Sequence, residues 1–207
     1  KHFTPSYNPW DQRICLIPNS DFFESIKAKT SSVVTDHIEK FEEKGIRLKS
    51  GNFLPADLIV TATGLILESF GGVKMSVDNK PIEASDTYTY RSLMYSGIPN
   101  LVSCFGYINA SWTLKADLTS EYVCRLIKHM KKNDFEVVCP QFEVDIEESD
   151  DFLNGFSSGY IKRAADSQPK QGKEKPWINL QDYFKDWIDI KFKKLDDGYL
   201  NFSKLEK

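Results

Sequence analysis

Residues 57–64 read Asp57-Leu58-Ile59-Val60-Thr61-Ala62-Thr63-Gly64. A short apolar run closed by small residues predicts a buried β-strand that ends in a tight turn. Thr61, Ala62, Thr63 and Gly64 carry little side chain, so the backbone there admits close approach of another group. In open α/β sheets, ligands sit beyond the carboxyl ends of the strands. The stretch therefore points to an α/β fold with a ligand-facing turn at its end. A purely structural turn fits the same four residues.

Working outward, residues 1–18 are rich in aromatic residues and proline and read as an irregular loop or short strands. Asn19 or Ser20 can cap a helix from Asp21 to Lys27, with Asp21 and Glu24 in its first turn. Ser32 to Val34 reads as a strand. His37 to Glu43 and Gly45 to Lys49 alternate apolar and polar residues. With Ser50-Gly51-Asn52 as a turn, they predict a three-stranded antiparallel meander. Val73 to Val77, Asp78-Asn79 and Pro81-Ile82 read as a surface hairpin. Leu101 to Phe105 reads as a second buried strand, closed by Gly106.

A long helix is predicted from about Ser111 to Lys131. Leu114, Leu118, Tyr122, Leu126 and Met130 recur every fourth residue, and Val123 and Ile127 widen the stripe. The plain reading of that stripe is core packing. Residues 139–158 are acidic and irregular, and residues 165–176 have the composition of a linker. A last amphipathic helix is expected from Leu180 to Lys191, with Tyr183, Phe184, Trp187 and Ile188 on its apolar side.

Composition narrows the function classes. The 207 residues carry a formal charge of −3 with interspersed signs, so nucleic acid is not an expected partner. The 4 cysteines form no Cys-x-x-Cys pair, which suits a reducing compartment and speaks against a zinc site. His2, His37 and His129 are not spaced as metal ligands, and no Ser-His-Asp or paired-carboxylate arrangement stands out. No apolar stretch approaches the roughly 20 residues that span a bilayer, and no signal peptide is recognisable. The expectation is a cytoplasmic protein. None of the 11 glycines stand two apart, so there is no Gly-x-Gly and no Rossmann fingerprint. With Lys1 in place of an initiating Met, the chain reads as the C-terminal piece of something longer.

Three segments together carry a family resemblance. They are Lys1-His2-Phe3-Thr4-Pro5-Ser6-Tyr7-Asn8-Pro9-Trp10-Asp11-Gln12-Arg13, the strand Asp57 to Gly64, and Gly106-Tyr107-Ile108-Asn109-Ala110-Ser111-Trp112-Thr113-Leu114-Lys115-Ala116-Asp117-Leu118. Gly159-Tyr160, Pro169-Lys170-Gln171-Gly172 and Pro176-Trp177 fit the same type. The chain resembles the C-terminal half of FAD-containing Baeyer–Villiger monooxygenases of the ethionamide-activating type, within the flavin-containing monooxygenase superfamily. The FAD and NADPH fingerprints and the Phe-x-Gly-x-x-x-His-x-x-x-Trp signature of that family are not in the chain.

The resemblance implies FAD and NADPH as cofactors, and oxygen insertion into ketones or oxidation of sulfur compounds through a flavin peroxide. Arg13 then stands at the catalytic arginine, where a guanidinium can hold negative charge without proton transfer. Gln12 precedes it in place of the usual lysine. Thr61, Ala62, Thr63 and Gly64, with Asn109, Ala110, Ser111 and Trp112, are the implied cofactor-binding positions. A helix beginning near Ser111 offers unpaired N–H groups and partial positive charge to an anionic ring. Lys115, one turn in, has the wrong sign for that helix end, a mild cost that is tolerable where it meets an anion or solvent. Tyr7 and Trp10 line a substrate pocket or pack in a core.

On this reading the fold is a fragment of a flavoprotein with two dinucleotide-binding domains. Residues 1–55 close the NADPH domain with the meander, 56–138 form the second half of the FAD domain, and 139–207 are a C-terminal extension. The implied partners are a small ketone or sulfur compound and the N-terminal half. The chain alone is expected to be inactive and not to retain the cofactors. Its open strand edges invite pairing with a second copy. The competing reading is a non-catalytic binding or assembly module.

Overall fold

The computed structural model describes residues 2–5, 7–8, 15–108, 110–143, 145–149 and 158–205. It is a mixed helix-and-strand protein whose named strands pair antiparallel, with an isolated parallel bridge between Tyr88 and Lys170. The chain divides into two compact units, residues 1–65 and 66–207.

The first unit holds helix α1 (Asp21–Lys27) and strands β1 (Ile38–Glu42), β2 (Gly45–Leu48) and β3 (Phe53–Pro55). The helix has the bounds its acidic first turn predicts, but Ser20 makes no side-chain cap. The strands form the expected three-stranded meander in the order β1-β2-β3. Gly45 is dictated by packing, since a Cβ there would fall 2.0 Å from the Leu54 carbonyl oxygen. Phe3, Phe22 and Phe23 form an aromatic cluster with centroids 5.5–6.1 Å apart.

Two strand expectations in this unit are overturned. Ser32 to Val34 is irregular, and so is Asp57 to Gly64, every residue of which is exposed. Leu58 and Val60 are each 82 % exposed. A strand apolar on both faces needs a ladder beside it and a layer above and below. No described strand pairs with residues 57–64.

The second unit begins with a hairpin, β4 (Met75–Val77) and β5 (Lys80–Ile82). Asp78 and Asn79 turn it with φ of 50° and 63°, the geometry such residues tolerate best. A second hairpin, β6 (Thr89–Tyr90) and β7 (Met94–Tyr95), leads to the long helix α2 (Trp112–Asn133). Leu118, Tyr122 and Leu126 of the predicted stripe are buried, whereas Leu114 and Ile127 are partly exposed. Beyond it lie β8 (Val137–Pro140), β9 (Glu148–Ser149), α3 (Gly159–Ala164), β10 (Gln171–Gly172), α4 (Tyr183–Phe192) and β11 (Leu200–Ser203). Strand β11 returns to pair with β8, and β10 pairs with β9.

Three expectations fail here for one reason each. Leu101 to Phe105 forms no ladder, although Ser103 donates its N–H to the Leu93 carbonyl at 2.8 Å. Phe105 is 37 % exposed. Residues 165–176, polar and proline-containing, are not a linker but a strip bonded along residues 87–91. Lys170 N–H donates to the Thr87 carbonyl at 2.8 Å, Thr89 N–H to that of Lys170 at 2.9 Å, and Arg91 N–H to that of Pro176 at 2.6 Å. Helix α4 packs Tyr183 and Trp187 against the core as expected, but it buries Asp186 and Ile190 and leaves Phe184 and Ile188 75 % and 50 % exposed. The reason is electrostatic: Asp186 is drawn inward by two lysines. The core gathers Tyr90, Leu93, Met94, Tyr122, Trp177 and Ile190 where α2, α4, β8 and the β6–β7 hairpin meet.

Candidate functional site

Gly106 fixes the entry into α2. A Cβ at this residue would lie 2.2 Å from the Trp112 ring, so only glycine lets the indole settle on the backbone. Phe105 flanks the same indole at 5.4 Å between centroids. Ser111 is the N-cap residue, yet its hydroxyl bonds with Thr113 Oγ1 at 2.7 Å and caps no backbone group. The first turn of α2 holds no acidic residue. Ala110, Ser111 and Trp112 are exposed, and the Ser111 side chain leaves the N–H groups of this helix end uncapped.

The turn is gripped from α4 and the residues before it. Gln181 Oε1 accepts the Ile108 N–H at 2.8 Å, and the Tyr107 hydroxyl donates to Asp186 Oδ2 at 2.9 Å. Lys115 Nζ also reaches Asp186 Oδ2 at 2.7 Å, while Lys175 Nζ takes Oδ1 at 2.7 Å. Lys115 thus meets its anion inside the protein, turned away from the helix end. Burial pushes the Asp186 carboxyl up, but the ammonium groups of Lys115 and Lys175 outweigh it and hold the group below its ordinary value. Burial lowers the Lys115 value, and Asp186 opposes that shift.

A second charged group adjoins the first. The Arg91 guanidinium, 3 % exposed, lies 2.6 Å from Asp189 Oδ2 and 2.9 Å from Asp197 Oδ2. Its Nε donates to the Tyr90 hydroxyl at 2.9 Å, which in turn donates to Asp197 Oδ2 at 2.6 Å. Burial works against the guanidinium, and Tyr90 and Asp189 more than offset it, so Arg91 stays charged. Arg91 and Ser92 turn the β6–β7 hairpin with φ of 50° and 57°. Two adjacent non-glycine residues in the left-handed region store about 1–3 kcal/mol each.

The sequence-predicted site residues belong to both units. Arg13, Trp10 and Asn109 lie outside the described residues. Tyr7 is 45 % exposed in the first unit, and His2 bonds with Thr35 Oγ1 at 2.6 Å. Thr61 to Gly64 lie together on the exposed stretch of that unit, and Ala110, Ser111 and Trp112 together at the start of α2. Sequence reasoning missed Tyr107, Gln181, Asp186 and Lys175. The signal for Asp186 is its spacing: with Tyr183 and Ile190 it marks one face of a helix, and an acid on such a face needs a cation. Among the described residues, no group of His, Cys, Asp and Glu side chains could hold a metal ion. No helix among them is long and apolar enough to cross a membrane.

The α2 end is chemically suited to a negatively charged ring. Its N–H groups carry partial positive charge, and Ala110 and Ser111 beside them are small and exposed. That is the observation on which a reduced flavin fits this chain.

Comparison with known proteins gives the same direction. The chain is 49 % identical over 204 residues to the probable FAD-binding monooxygenase AlmA of an Acinetobacter species, covering 99 % of this chain and 41 % of that protein. It is 48 % identical to the FAD-containing monooxygenase EthA of Mycolicibacterium smegmatis, with the same coverage. It is 43 % identical to the putative FAD-containing monooxygenase MymA of Mycobacterium tuberculosis, covering 98 % of this chain and 41 % of that protein. No family model and no solved structure matches the chain. The chain spans about two-fifths of the length of these curated relatives. Over that span it is a homologue of the FAD-containing monooxygenases of the AlmA, EthA and MymA group.

Proposed function

We propose that this chain is part of an FAD- and NADPH-dependent monooxygenase that inserts oxygen beside the carbonyl of ketones or oxidises sulfur compounds. The observation that carries the reading is the 43–49 % identity to three monooxygenases named for FAD, sustained over 98–99 % of the chain. The flavin, when bound, supplies the oxygen-transfer chemistry. The residues of this chain bind and orient. The N–H groups at the start of α2 face negative charge on the ring. Gly106 seats Trp112 beside them, and Asp186 keeps the Lys115 ammonium out of that space. Arg13 is the proposed catalytic cation, and the backbone of Thr61 to Gly64 is proposed to approach a cofactor closely. Residues 1–55, 56–138 and 139–207 serve as the end of the NADPH domain, the second FAD half and an extension.

On this reading the remaining three-fifths of a full-length relative holds the phosphates of both cofactors. The chain contains no Gly-x-Gly for that task, which supports the proposal that by itself it is a non-catalytic module. The test is to express the full-length protein, record flavin absorbance, and follow ketone-dependent NADPH oxidation. Arg13→Ala is expected to abolish oxygenation while flavin stays bound. A colourless full-length protein, or unchanged ester formation by the variant, overturns the reading.

A further inference from the structure

The second unit contains a cavity of about 150 Å³ beside the β6–β7 hairpin. Leu67, Phe70, Tyr95 and Phe105 give it an apolar wall, and Ser92 and Asn179 are polar residues in its lining. Phe70 and Tyr95 meet edge to face at 4.7 Å. Most polar groups at the wall are already engaged. The Tyr95 hydroxyl bonds with Ser103 Oγ, and Asn179 Oδ1 accepts from Gln181 N–H at 3.2 Å. Ser92 differs. It is 8 % exposed, and its hydroxyl is buried with no hydrogen-bond partner among the described residues.

Buried hydroxyls are almost always paired, so an unpaired one in a cavity wall needs an explanation. Its backbone adds a second cost, since Ser92 sits at a φ of 57°. A cavity of this size with an apolar lining holds about one benzene ring. Glu68 at the lining disfavours a carboxylate ligand. Phe105 belongs to both this wall and the Trp112 stack, so the cavity adjoins the start of α2.

We infer that this cavity binds the substrate: a compact, uncharged carbonyl compound of about one ring, its oxygen accepting a hydrogen bond from Ser92. The apolar body packs against Leu67, Phe70 and Phe105. The choice of a carbonyl rests on the monooxygenase reading above; the cavity and its unpaired donor do not.

The probes are acetophenone and ethylbenzene, which share a ring and differ in the carbonyl. Binding of each to the full-length protein is followed by calorimetry or ligand-observed NMR. Acetophenone is expected to bind more tightly than ethylbenzene by roughly threefold to tenfold, the worth of one hydrogen bond. Ser92→Gly removes the donor and relieves the left-handed backbone, so folding is kept, and it is expected to erase that preference. Leu67→Phe narrows the cavity without touching the donor and is expected to weaken both probes. Equal binding of the two probes, a preference that survives Ser92→Gly, indifference to Leu67→Phe, or no binding overturns the inference. A Ser92-dependent preference alongside a colourless full-length protein keeps the cavity and removes the monooxygenase reading. Ketone-dependent NADPH oxidation with no effect of Ser92→Gly on probe binding does the reverse.

Discussion

The Lys115 ammonium lies 2.7 Å from the Asp186 carboxylate, and each residue is only 1 % exposed. The contact ties the second turn of α2 to α4, and Tyr107 and Lys175 close on the same carboxylate. Breaking such a pair strands a buried charge. Asp186→Asn is therefore expected to destabilise by about 3–5 kcal/mol, read from the urea midpoint. The double change Lys115→Met with Asp186→Leu removes both charges together. It is expected to recover part of that loss, because the fully buried ammonium is gone while Lys175, 25 % exposed, keeps Asp189 at 4.0 Å. A double variant as unstable as the single one would show that the pair itself, and not its stranded partner, sets the cost.

The same carboxylate makes stability depend on acid. Asp186 is held below its ordinary value of 3.8 in the folded protein, burial opposing and the two lysines prevailing. Below 3.8 the unfolded chain binds the proton first, so stability rises with pH in that window. The contribution is complete above 3.8 and is lost as pH falls through the folded value. The gap between the urea midpoints of the wild type and Asp186→Asn is expected to hold above 3.8 and to close below it.

Much of the local structure was legible because local chemistry dictates it. The meander, the Asp78-Asn79 hairpin and the bounds of α1 follow from alternation, turn residues and an acidic first turn. Helix α2 was legible from its four-residue stripe. What failed was burial that depends on distant partners. Asp57 to Gly64 has the composition of an inner strand but no described neighbour to pair with. Strand β11 was invisible because its partner β8 lies some sixty residues earlier. The buried face of α4 was read correctly at Tyr183 and Trp187 and misread at Phe184 and Ile188, because Asp186 looks like a solvent residue until Lys115 and Lys175 are seen around it. The start of α2 near Ser111 was read in advance, and the hold of Gln181 and Asp186 on the turn before it was not.

Gly106 offers a test of how the α2 entry is built. Its φ does not require glycine, so the effect of a side chain there is steric alone. In Gly106→Ala the new methyl would meet the Trp112 ring at 2.2 Å, a contact that forces the indole outward. The expected cost is about 1–3 kcal/mol, as for overpacking elsewhere. Tryptophan emission should shift to the red as Trp112 gains water. An unshifted spectrum with wild-type stability would mean that the turn moves as freely as the ring.

The strip from residue 165 to Trp177 is where composition and structure disagree most, and proteolysis separates them. A linker of Ser, Pro, Gln, Lys and Gly is cut early. Here Gln171 is 2 % and Trp177 1 % exposed, and the backbone of Lys170 bonds on both sides to Thr87 and Thr89. Trp177 packs edge to face on Tyr90, Phe142 and Tyr199 at 5.0–5.8 Å. Trypsin is therefore expected to spare Lys170 in the folded protein while it attacks exposed lysines such as Lys44. Trp177→Ala should cost about 3–5 kcal/mol, the range for emptying a large aromatic site. It should also open Lys170 to cleavage, because the strip loses the side chain that anchors it to the core. Early cutting at Lys170 in the wild type would return the segment to a linker and detach Trp177 from the core.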